Sequence, residues 1–443
     1  MWYKLKIWLQ NPSENLWLMP ALGAVFATFF SLFAIASRYF IPTSTVPNIS
    51  TETLSSLLDI IASSMLAVTT FSLSIMVAAF ASASSSGTPR AYQLMMSDDN
   101  TRLAISSFIS AFIYAVIAKI ALGLGYYGPA GRFVLFISTI LVLMYLIYIL
   151  IRWVHTLSQL GNLTTTIHKI EVAASTALAE FRHQPNFGAT GQRPEQAVAF
   201  RVFSTQTGYF TNFNSEGLEQ LAVSQQLHIH LPQLPGKFLD PMTALAEVYS
   251  DRAFSPEQQQ EIRNSILNHV IIETNRSFLQ DPRFGVVVMS EVGQKAMSPA
   301  VNDVGSAINA VDALTRILID SKAAENLPER DCPHISVDIF DLGDLIYSSF
   351  APMARDCVGC IELNQRILKC LAMIQHNVPE PELKQAAEIM AIELIQRCLN
   401  KLEFEPDRQK LLSEFRSHFP LIQLSHSIKL RGTEDKIDAS TQT

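Results

Sequence analysis

Four long apolar runs in the first third of the chain constrain its fold more than any other feature. A helix needs about 20 apolar residues to cross the hydrocarbon core of a bilayer. Each run comes close to that length or exceeds it, and only one of them contains a charged residue. Four such runs cannot all be core helices of one soluble domain, so the sequence predicts four transmembrane helices. The runs are residues 16–37, 60–83, 103–127 and 133–151.

The composition agrees with a membrane protein. Of the 443 residues, 49% are hydrophobic and 16% are charged, against roughly 25% charged in an average soluble domain. The formal net charge of -7 gives no basic surface for nucleic acid. The first apolar run is too long for a signal peptide and lacks a convincing cleavage site, so we expect it to be retained. The predicted partner is therefore the lipid bilayer, and no nucleic acid is expected.

The distribution of Lys and Arg near the ends of the runs predicts the orientation, because cytoplasmic loops carry an excess of both. Six basic residues fall on one side and two on the other. This predicts a multi-pass protein of the bacterial inner membrane with both termini in the cytoplasm. The six are Lys4, Lys6, Arg90, Arg102, Arg152 and Lys169, and the two are Arg38 and Arg132.

Small residues recur along one face of the second run. Their spacings of three and four residues place them on a single stripe of an α-helix. Such a stripe permits close helix packing, with hydroxyl groups bonding across the contact. The alternative is that several copies of the stripe line a wide, weakly selective pore. The stripe consists of Ser63, Ala67, Thr70, Ser74, Ala78, Ala81 and Ser85.

Lys119 is the one charge well inside an apolar run. Charged residues within a span are candidates for a transport function. The alternatives are that this lysine extends to the membrane interface, or that it pairs with Asp59 at the start of the second run. The sequence leaves these possibilities open.

The remainder of the chain is predicted to be a cytoplasmic α+β region that follows a four-helix transmembrane domain at residues 1–152. Residues 153–196 form a helical connector. Alternating β-branched and aromatic residues, with turns rich in Pro and Gly, predict a small β-rich module at 197–250. A helical domain follows at 251–420, and the polar tail at 421–443 is predicted to be disordered. Helices are expected at 286–297, 304–321, 338–355, 359–376, 380–401 and 406–416.

Two groups of residues have metal-ligand chemistry. His228 and His230 share one face of a predicted strand, and we favour a solvated strand face over a metal pair. The five cysteines are an odd number without a paired framework, which favours a reducing compartment over a disulfide scaffold. Zinc is disfavoured because Cys332 and His334, with Cys357 and Cys360, lack the usual ligand spacing. No metal or cofactor is therefore assigned.

The segment "KAMSPAVNDVGSAINAVDAL" concentrates turn-forming and hydrogen-bonding residues in front of one amphipathic helix. Pro299 ends the preceding helix, and Asn302 or Asp303 can cap the next one. Upstream, "RSFLQDPRFG" supplies an arginine that we expect to pair with an acid, such as Asp303. The residues form either a buried polar network or a small-ligand or cation site. The candidates are Arg276, Gln280, Asp281, Ser298, Asn302, Asp303 and Ser306.

These two segments resemble the bacterial membrane proteins grouped as domain-of-unknown-function family 2254. The resemblance covers nearly the whole chain. It also rests on "IIASSMLAVTTFSLSIMVAAFASASSSGTPR", "FISAFIYAV", "TGYF" and "PGKF". The family implies a membrane topology and no activity.

Two functions remain open at this stage. One is an oligomeric channel or transporter-like protein with a cytoplasmic regulatory domain. The other is a membrane-anchored scaffold or sensor without conduction. Either is expected to be a homo-oligomer. An enzyme is not expected, because the sequence offers no assignable nucleophile–base pair and no phosphate-binding glycine loop. The small ligand or ion is unknown.

Overall fold

The computed structural model describes residues 21–25, 28–29, 46–91, 94, 99–159, 161–323 and 331–422. The chain divides into two compact units, Met1–Lys169 and Ile170–Thr443. The predicted transmembrane run at 16–37 falls largely outside these residues. Its described positions, 21–25 and 28–29, are helical.

Three long apolar helices dominate the first unit. Candidate membrane spans lie at Thr51–Ser82, Asn100–Gly123 and Pro129–Ser158. They correspond to the second, third and fourth predicted runs. The first helix begins well before its apolar run, because the Ser50 hydroxyl accepts a hydrogen bond from the Thr53 amide at 3.1 Å. The helices are α1 (Thr51–Ser86), α2 (Asp99–Gly123) and α3 (Pro129–Gln159).

Packing within this unit centres on α2. One side of α1 packs against α2, and α2 in turn packs against α3. Leu54, Leu58 and Phe108 are wholly buried in the shared core. The indole Nε1 of Trp153 donates a hydrogen bond of 2.8 Å to the Ser72 hydroxyl. This bond satisfies two buried polar groups between α3 and α1, as buried polar groups require.

Helices also make up most of the chain after α3. The sequence predicted the type of these elements well, and several begin at the expected cap. Asn214 caps α5, and Ser255 forms a capping box at the start of α6. The helices are α4 (Leu163–His183), α5 (Ser215–Gln225), α6 (Pro256–Asn268), α7 (Pro282–Ala296), α8 (Val304–Asp320), α9 (Gly343–Asp356), α10 (Ile361–Asn377), α11 (Pro381–Lys401) and α12 (Glu405–His418).

The second unit also contains two β-sheets. A mixed five-stranded sheet has the order β1-β8-β4-β6-β2, and a three-stranded antiparallel sheet has the order β5-β3-β7. β8 runs parallel to both β1 and β4, whereas β6 runs antiparallel to β4 and β2. The strands are β1 (Ala189–Thr190), β2 (Val198–Phe203), β3 (Gly208–Phe213), β4 (His228–Leu231), β5 (Phe238–Leu239), β6 (Ala244–Tyr249), β7 (Val270–Glu273) and β8 (Cys332–Val337).

The sequence did not predict β7 and β8. β7 follows α6 after the single residue His269, so its apolar residues continue the helical pattern of α6 and give no separate signal. β8 comes from far along the chain and inserts between β1 and β4. Short apolar runs do not distinguish a strand from a helix by periodicity alone. The two sheets therefore combine strands from before and after residue 250.

Candidate functional site

One row of polar residues crosses the five-stranded sheet from edge to edge. Residues in register on neighbouring strands lie side by side on one face. Ser336 of β8 is in register with Thr190 and His230, and Glu247 of β6 is in register with His230 and Arg201. The three central residues are buried, with exposed fractions of 0% for Ser336, 1% for His230 and 5% for Glu247. We call these five residues the polar row.

Two histidines of β4 share one hydroxyl of this row. Ser336 Oγ lies 2.9 Å from His230 Nδ1 and 2.9 Å from His228 Nε2. A serine hydroxyl has only one hydrogen to donate. It can therefore donate to at most one imidazole, and at least one of the two histidines must donate to it, so the proton positions of the two histidines depend on each other. The expectation of a solvated strand face is wrong at His230, because that side chain is buried.

The other nitrogen of His230 faces an acid at the end of β8. His230 Nε2 lies 3.3 Å from Asp338 Oδ1, and the Asp338 side chain is largely exposed. Burial lowers the pKa of His230, and the Asp338 charge opposes this effect. Burial also lowers the pKa of His228, and the charges of His334 and His230 lower it further. Both imidazoles therefore favour the neutral form.

Glu247 is held ionised by its neighbours. Tyr249 donates to Glu247 Oε2 at 2.8 Å, Arg201 donates to Oε1 at 3.0 Å, and Arg193 forms an ion pair with the same carboxylate. Burial alone raises the pKa of Glu247, but the hydrogen bonds and the two arginines bring it below its ordinary value. Hydrogen bonds to the charged form are a recognised cause of such a depression.

This arrangement can hold and pass protons through the shared Ser336 hydroxyl, which is fully buried. In the described parts of the chain, no group of three or more His, Cys, Asp or Glu side chains is placed to hold a metal ion. The sequence signal was alternation: His228 and His230, Glu247 and Tyr249, and Ser336 and Asp338 are each two residues apart. It was missed because β8 was not predicted.

The predicted site residues upstream of residue 290 form a junction at the start of α7. Arg276 donates to Asp281 Oδ2 from Nε at 2.9 Å and from Nη2 at 2.5 Å. Asp281 Oδ1 accepts from the amides of Arg283 and Phe284, and so caps α7. Asp281 is 2% exposed. Burial raises the pKa of its carboxyl, and Arg276 opposes the rise.

Gln280 and Gly236 tie the same junction to the three-stranded sheet. The Gln280 amide accepts from Phe213 N at 2.9 Å and donates to Phe213 O at 3.2 Å, as a paired strand would. Gly236 has φ +94° and lies against the Asp281 carboxylate, where a Cβ would overlap Oδ2. The "TGYF", "PGKF" and "RSFLQDPRFG" segments thus meet at one point, since Gly236 N also donates to Phe210 O.

The downstream residues have separate partners. Asp303 is exposed and caps α8, accepting from Ser306 N at 3.0 Å and from the Ser306 hydroxyl at 2.6 Å. The latter bond lowers the pKa of Asp303. Asn302 has φ 47°, and its amide donates to Ser298 O. Within the described residues Arg276 pairs with Asp281, and no hydrogen bond or ion pair joins it to Asp303. The prediction that Arg276 pairs with Asp303 is therefore wrong.

The predicted membrane residues are also accounted for. Lys119 Nζ forms an ion pair with Asp59, and both side chains are about half exposed. Ser63, Thr70 and Ser74 are exposed on α1, and each hydroxyl donates to a carbonyl four residues earlier in its own helix. The side chain of Ser85 lies outside the described part of the structure.

Comparison with known proteins gives the family. Residues 13–373 match the model of a family described as "Predicted membrane protein (DUF2254)". The chain belongs to this family. It is 22% identical over 232 residues to an uncharacterized protein of Mycobacterium tuberculosis, and equally so to one of Mycobacterium bovis. These matches cover 49% of this chain and 42% of each relative. No solved structure shows a significant match.

Proposed function

We propose that this family member is the protomer of a homo-oligomeric channel or transporter-like assembly in the bacterial inner membrane. In this proposal both termini are cytoplasmic, and the region after residue 170 is a cytoplasmic regulatory domain. The membrane character follows from the family and from the three apolar helices. Oligomerisation and conduction are the proposed part.

The observation that carries the proposal is the position of the small-residue stripe on α1. Leu54, Leu58, Ile61, Met65 and Ser72 are buried on one side of the helix. At 3.6 residues per turn, the stripe falls on the opposite side. Its six described side chains, Ser63, Ala67, Thr70, Ser74, Ala78 and Ala81, are all exposed. The stripe is therefore not used for packing against α2 and α3.

Large apolar side chains flank the stripe on both sides. Ile60 and Phe71 lie on one flank, and Leu66, Leu73 and Val77 on the other, all of them exposed. The face of α1 is thus a shallow polar groove between two apolar ridges. In a ring of copies, the ridges would contact neighbouring protomers or lipid, and the groove would face the axis. Small hydroxylated residues suit a wide and weakly selective path.

The described part of the N-terminal run lies elsewhere. Gly23 approaches α2 so closely that a Cβ there would overlap the Ser110 hydroxyl. Close approach through glycine is typical of packed transmembrane helices. This contact uses α2, and the described residues of the run leave the α1 stripe exposed. The exposure supports a second copy as the occupant or neighbour of the groove.

A second candidate function has its own support. The stripe hydroxyls donate to carbonyls of their own helix, so their hydrogens are already engaged. A face of this kind also suits tight helix packing in a non-conducting dimer. The protein would then be a membrane-anchored scaffold or sensor.

The deciding experiment combines oligomer order with conduction. Purified full-length protein is examined by native mass spectrometry in detergent and by single-channel recording in planar bilayers. The proposal expects three or more copies and discrete conductance steps. In the Ser74→Cys variant, a charged methanethiosulfonate reagent should reduce the current, whereas treated wild type and Phe71→Cys should change little. A dimer without conductance would favour the scaffold.

A further inference from the structure

A tight turn between α9 and α10 carries two cysteines three residues apart. Cys357 ends α9, and Cys360 is the N-cap of α10. The Cys360 amide donates to the Cys357 carbonyl at 3.0 Å, which closes the turn. The ends of such a turn lie within about 7 Å of each other at Cα. A disulfide spans about 4.4–6.8 Å at Cα, so the turn brings the two cysteines into the region where a disulfide can form.

The two thiols differ in access. Cys357 is 6% exposed, whereas Cys360 is partly exposed. Cys332, Cys370 and Cys398 are buried. A small reagent can therefore reach Cys360 more easily than Cys357. This is the order that an attacking and a resolving thiol require.

A buried asparagine holds the turn in place. Asn364 is 0% exposed, and its Nδ2 donates to the carbonyl of Cys357 at 3.1 Å and of Val358 at 2.9 Å. Its Oδ1 is buried, and no hydrogen bond reaches it from the residues that the structure describes. The two bonds from Nδ2 hold the two-cysteine turn in one geometry.

We propose that Cys357 and Cys360 form a dithiol–disulfide redox site that exchanges with a small disulfide of the glutathione class. The Cys360 thiolate attacks one sulfur of oxidised glutathione, forms a mixed disulfide and releases one glutathione thiolate. Cys357 then attacks the Cys360 sulfur, forms the Cys357–Cys360 bond and releases the second. Two electrons pass from the protein to the glutathione sulfurs, and the two cysteine protons end on the two released thiols.

The surroundings favour the disulfide at equilibrium. Burial raises the pKa of Cys357 to about 11 and raises that of Cys360 above its ordinary value. A site that lowers the pKa of a thiol stabilises its thiolate. Stabilising this reduced form makes the corresponding disulfide more oxidising. The Cys357–Cys360 site does not stabilise a thiolate in this way, so its disulfide should resist reduction once formed. The same high pKa makes exchange slow near pH 7, because only the thiolate attacks.

The test uses full-length protein in detergent with oxidised glutathione as the probe. Intact-mass measurement and peptide mapping follow the reaction. The expected product has lost two hydrogens, and its disulfide joins Cys357 to Cys360. Below the thiol pKa values, the thiolate fraction rises about tenfold per pH unit, so the initial rate should rise about tenfold from pH 7 to pH 8.

Variants separate the steps. Cys357→Ser should stop at a stable mixed disulfide on Cys360, and Cys360→Ser should abolish the exchange. Cys398→Ser is the matched control, since Cys398 Sγ lies 3.9 Å from the Val358 carbonyl in the same turn. It should react as wild type does. Asn364→Leu should lengthen the life of the mixed disulfide. The proposal is overturned if wild type keeps a mixed disulfide, joins Cys360 to Cys398, or leaves Cys360 unreacted at pH 8.

Discussion

Arg276 and Asp281 form a buried ion pair in which the Asp281 carboxylate both binds the arginine and caps a helix. Its Oδ2 accepts both hydrogen bonds from the arginine, and its Oδ1 caps α7. The guanidinium also lies 4.7 Å from the centre of the Phe284 ring, in the first turn of that helix. The pair thus fixes where α7 begins and how it meets the loop at Gly236.

Replacing Asp281 with Asn should destabilise this junction strongly. Asparagine keeps a capping oxygen but removes the charge and leaves Arg276 without its partner. Breaking a buried ion pair in this way costs about 3 kcal/mol or more. Hydrogen–deuterium exchange of full-length protein in detergent measures the effect. Amides of α7 should exchange roughly 100-fold faster than in wild type, since about 1.4 kcal/mol corresponds to a factor of ten.

Asp303→Asn provides the matched control. Asp303 also caps a helix, but it is exposed and its bonds are to Ser306. Asp and Asn cap helices about equally well, so exchange in α8 should change less than about threefold. Equal effects of the two substitutions would contradict the assignment of the ion pair to Asp281.

The sequence predicted the candidate site less well than the helices. Helix starts depend on neighbouring residues, so the cap at Ser255 and the start of α8 were found from the sequence. The Arg276–Asp281 pair is also local, but Asp303 was expected as the partner of Arg276 in place of Asp281, which lies five residues away. The polar row could not be predicted, because Ser336 reaches His230 only through the long-range insertion of β8. Strands that pair from distant parts of the chain have no characteristic residue spacing that would reveal the pairing in the sequence.

The two histidines of β4 should make the protein less stable in mild acid. Burial holds the pKa values of His228 and His230 below their ordinary value. The unfolded chain therefore binds more protons than the folded chain just below that value. The stability that the two neutral imidazoles contribute is fully present above about pH 6.5, the pKa of histidine in the unfolded chain. It is lost as the pH falls through the pKa values of the folded chain. The thermal midpoint of full-length protein in detergent should be lower at pH 5.5 than at pH 7.5.

A variant without the two imidazoles tests the origin of this loss. Glutamine at 228 places its amide near the position of Nε2, and asparagine at 230 places its amide near the position of Nδ1. Both can still hydrogen-bond Ser336, and neither titrates in this range. The His228→Gln, His230→Asn double variant should therefore show a smaller difference between the two pH values. His376→Gln, on α10, is the control and should keep the wild-type difference. An unchanged difference in the double variant would place the acid sensitivity elsewhere.

The groove on α1 should tolerate small side chains only. Thr70→Leu and Ser74→Leu fill it with bulk, and overpacking a tight contact costs about 1–3 kcal/mol. If the groove is a tight helix contact, native mass spectrometry should show partial dissociation for each variant, roughly 5- to 150-fold in the association constant. If the groove faces the axis of a ring, the assembly should persist and the conductance should fall. Leu73→Ala, on the exposed flank, should change assembly less. Intact assembly and unchanged conductance in both leucine variants would make the stripe a lipid-facing surface.

The two ends of the membrane unit carry different basic residues, and this predicts the orientation. At one end Arg132 donates to Asn48 Oδ1 and to the Thr51 hydroxyl, both at 3.1 Å. At the other, Arg152 donates to Asn100 Oδ1 at 2.7 Å, close in the chain to Arg102.

The end with more Lys and Arg should face the cytoplasm. Alkaline phosphatase fused after Asn48 should therefore be active, and fusions after Gly87 or Thr443 should be inactive. Green fluorescent protein at the same three positions is the matched control and should give the opposite pattern, because it fluoresces only when it folds in the cytoplasm. An active phosphatase after Thr443 would place the sheets and the Cys357–Cys360 turn in the periplasm, and would remove the basis for a cytoplasmic regulatory domain.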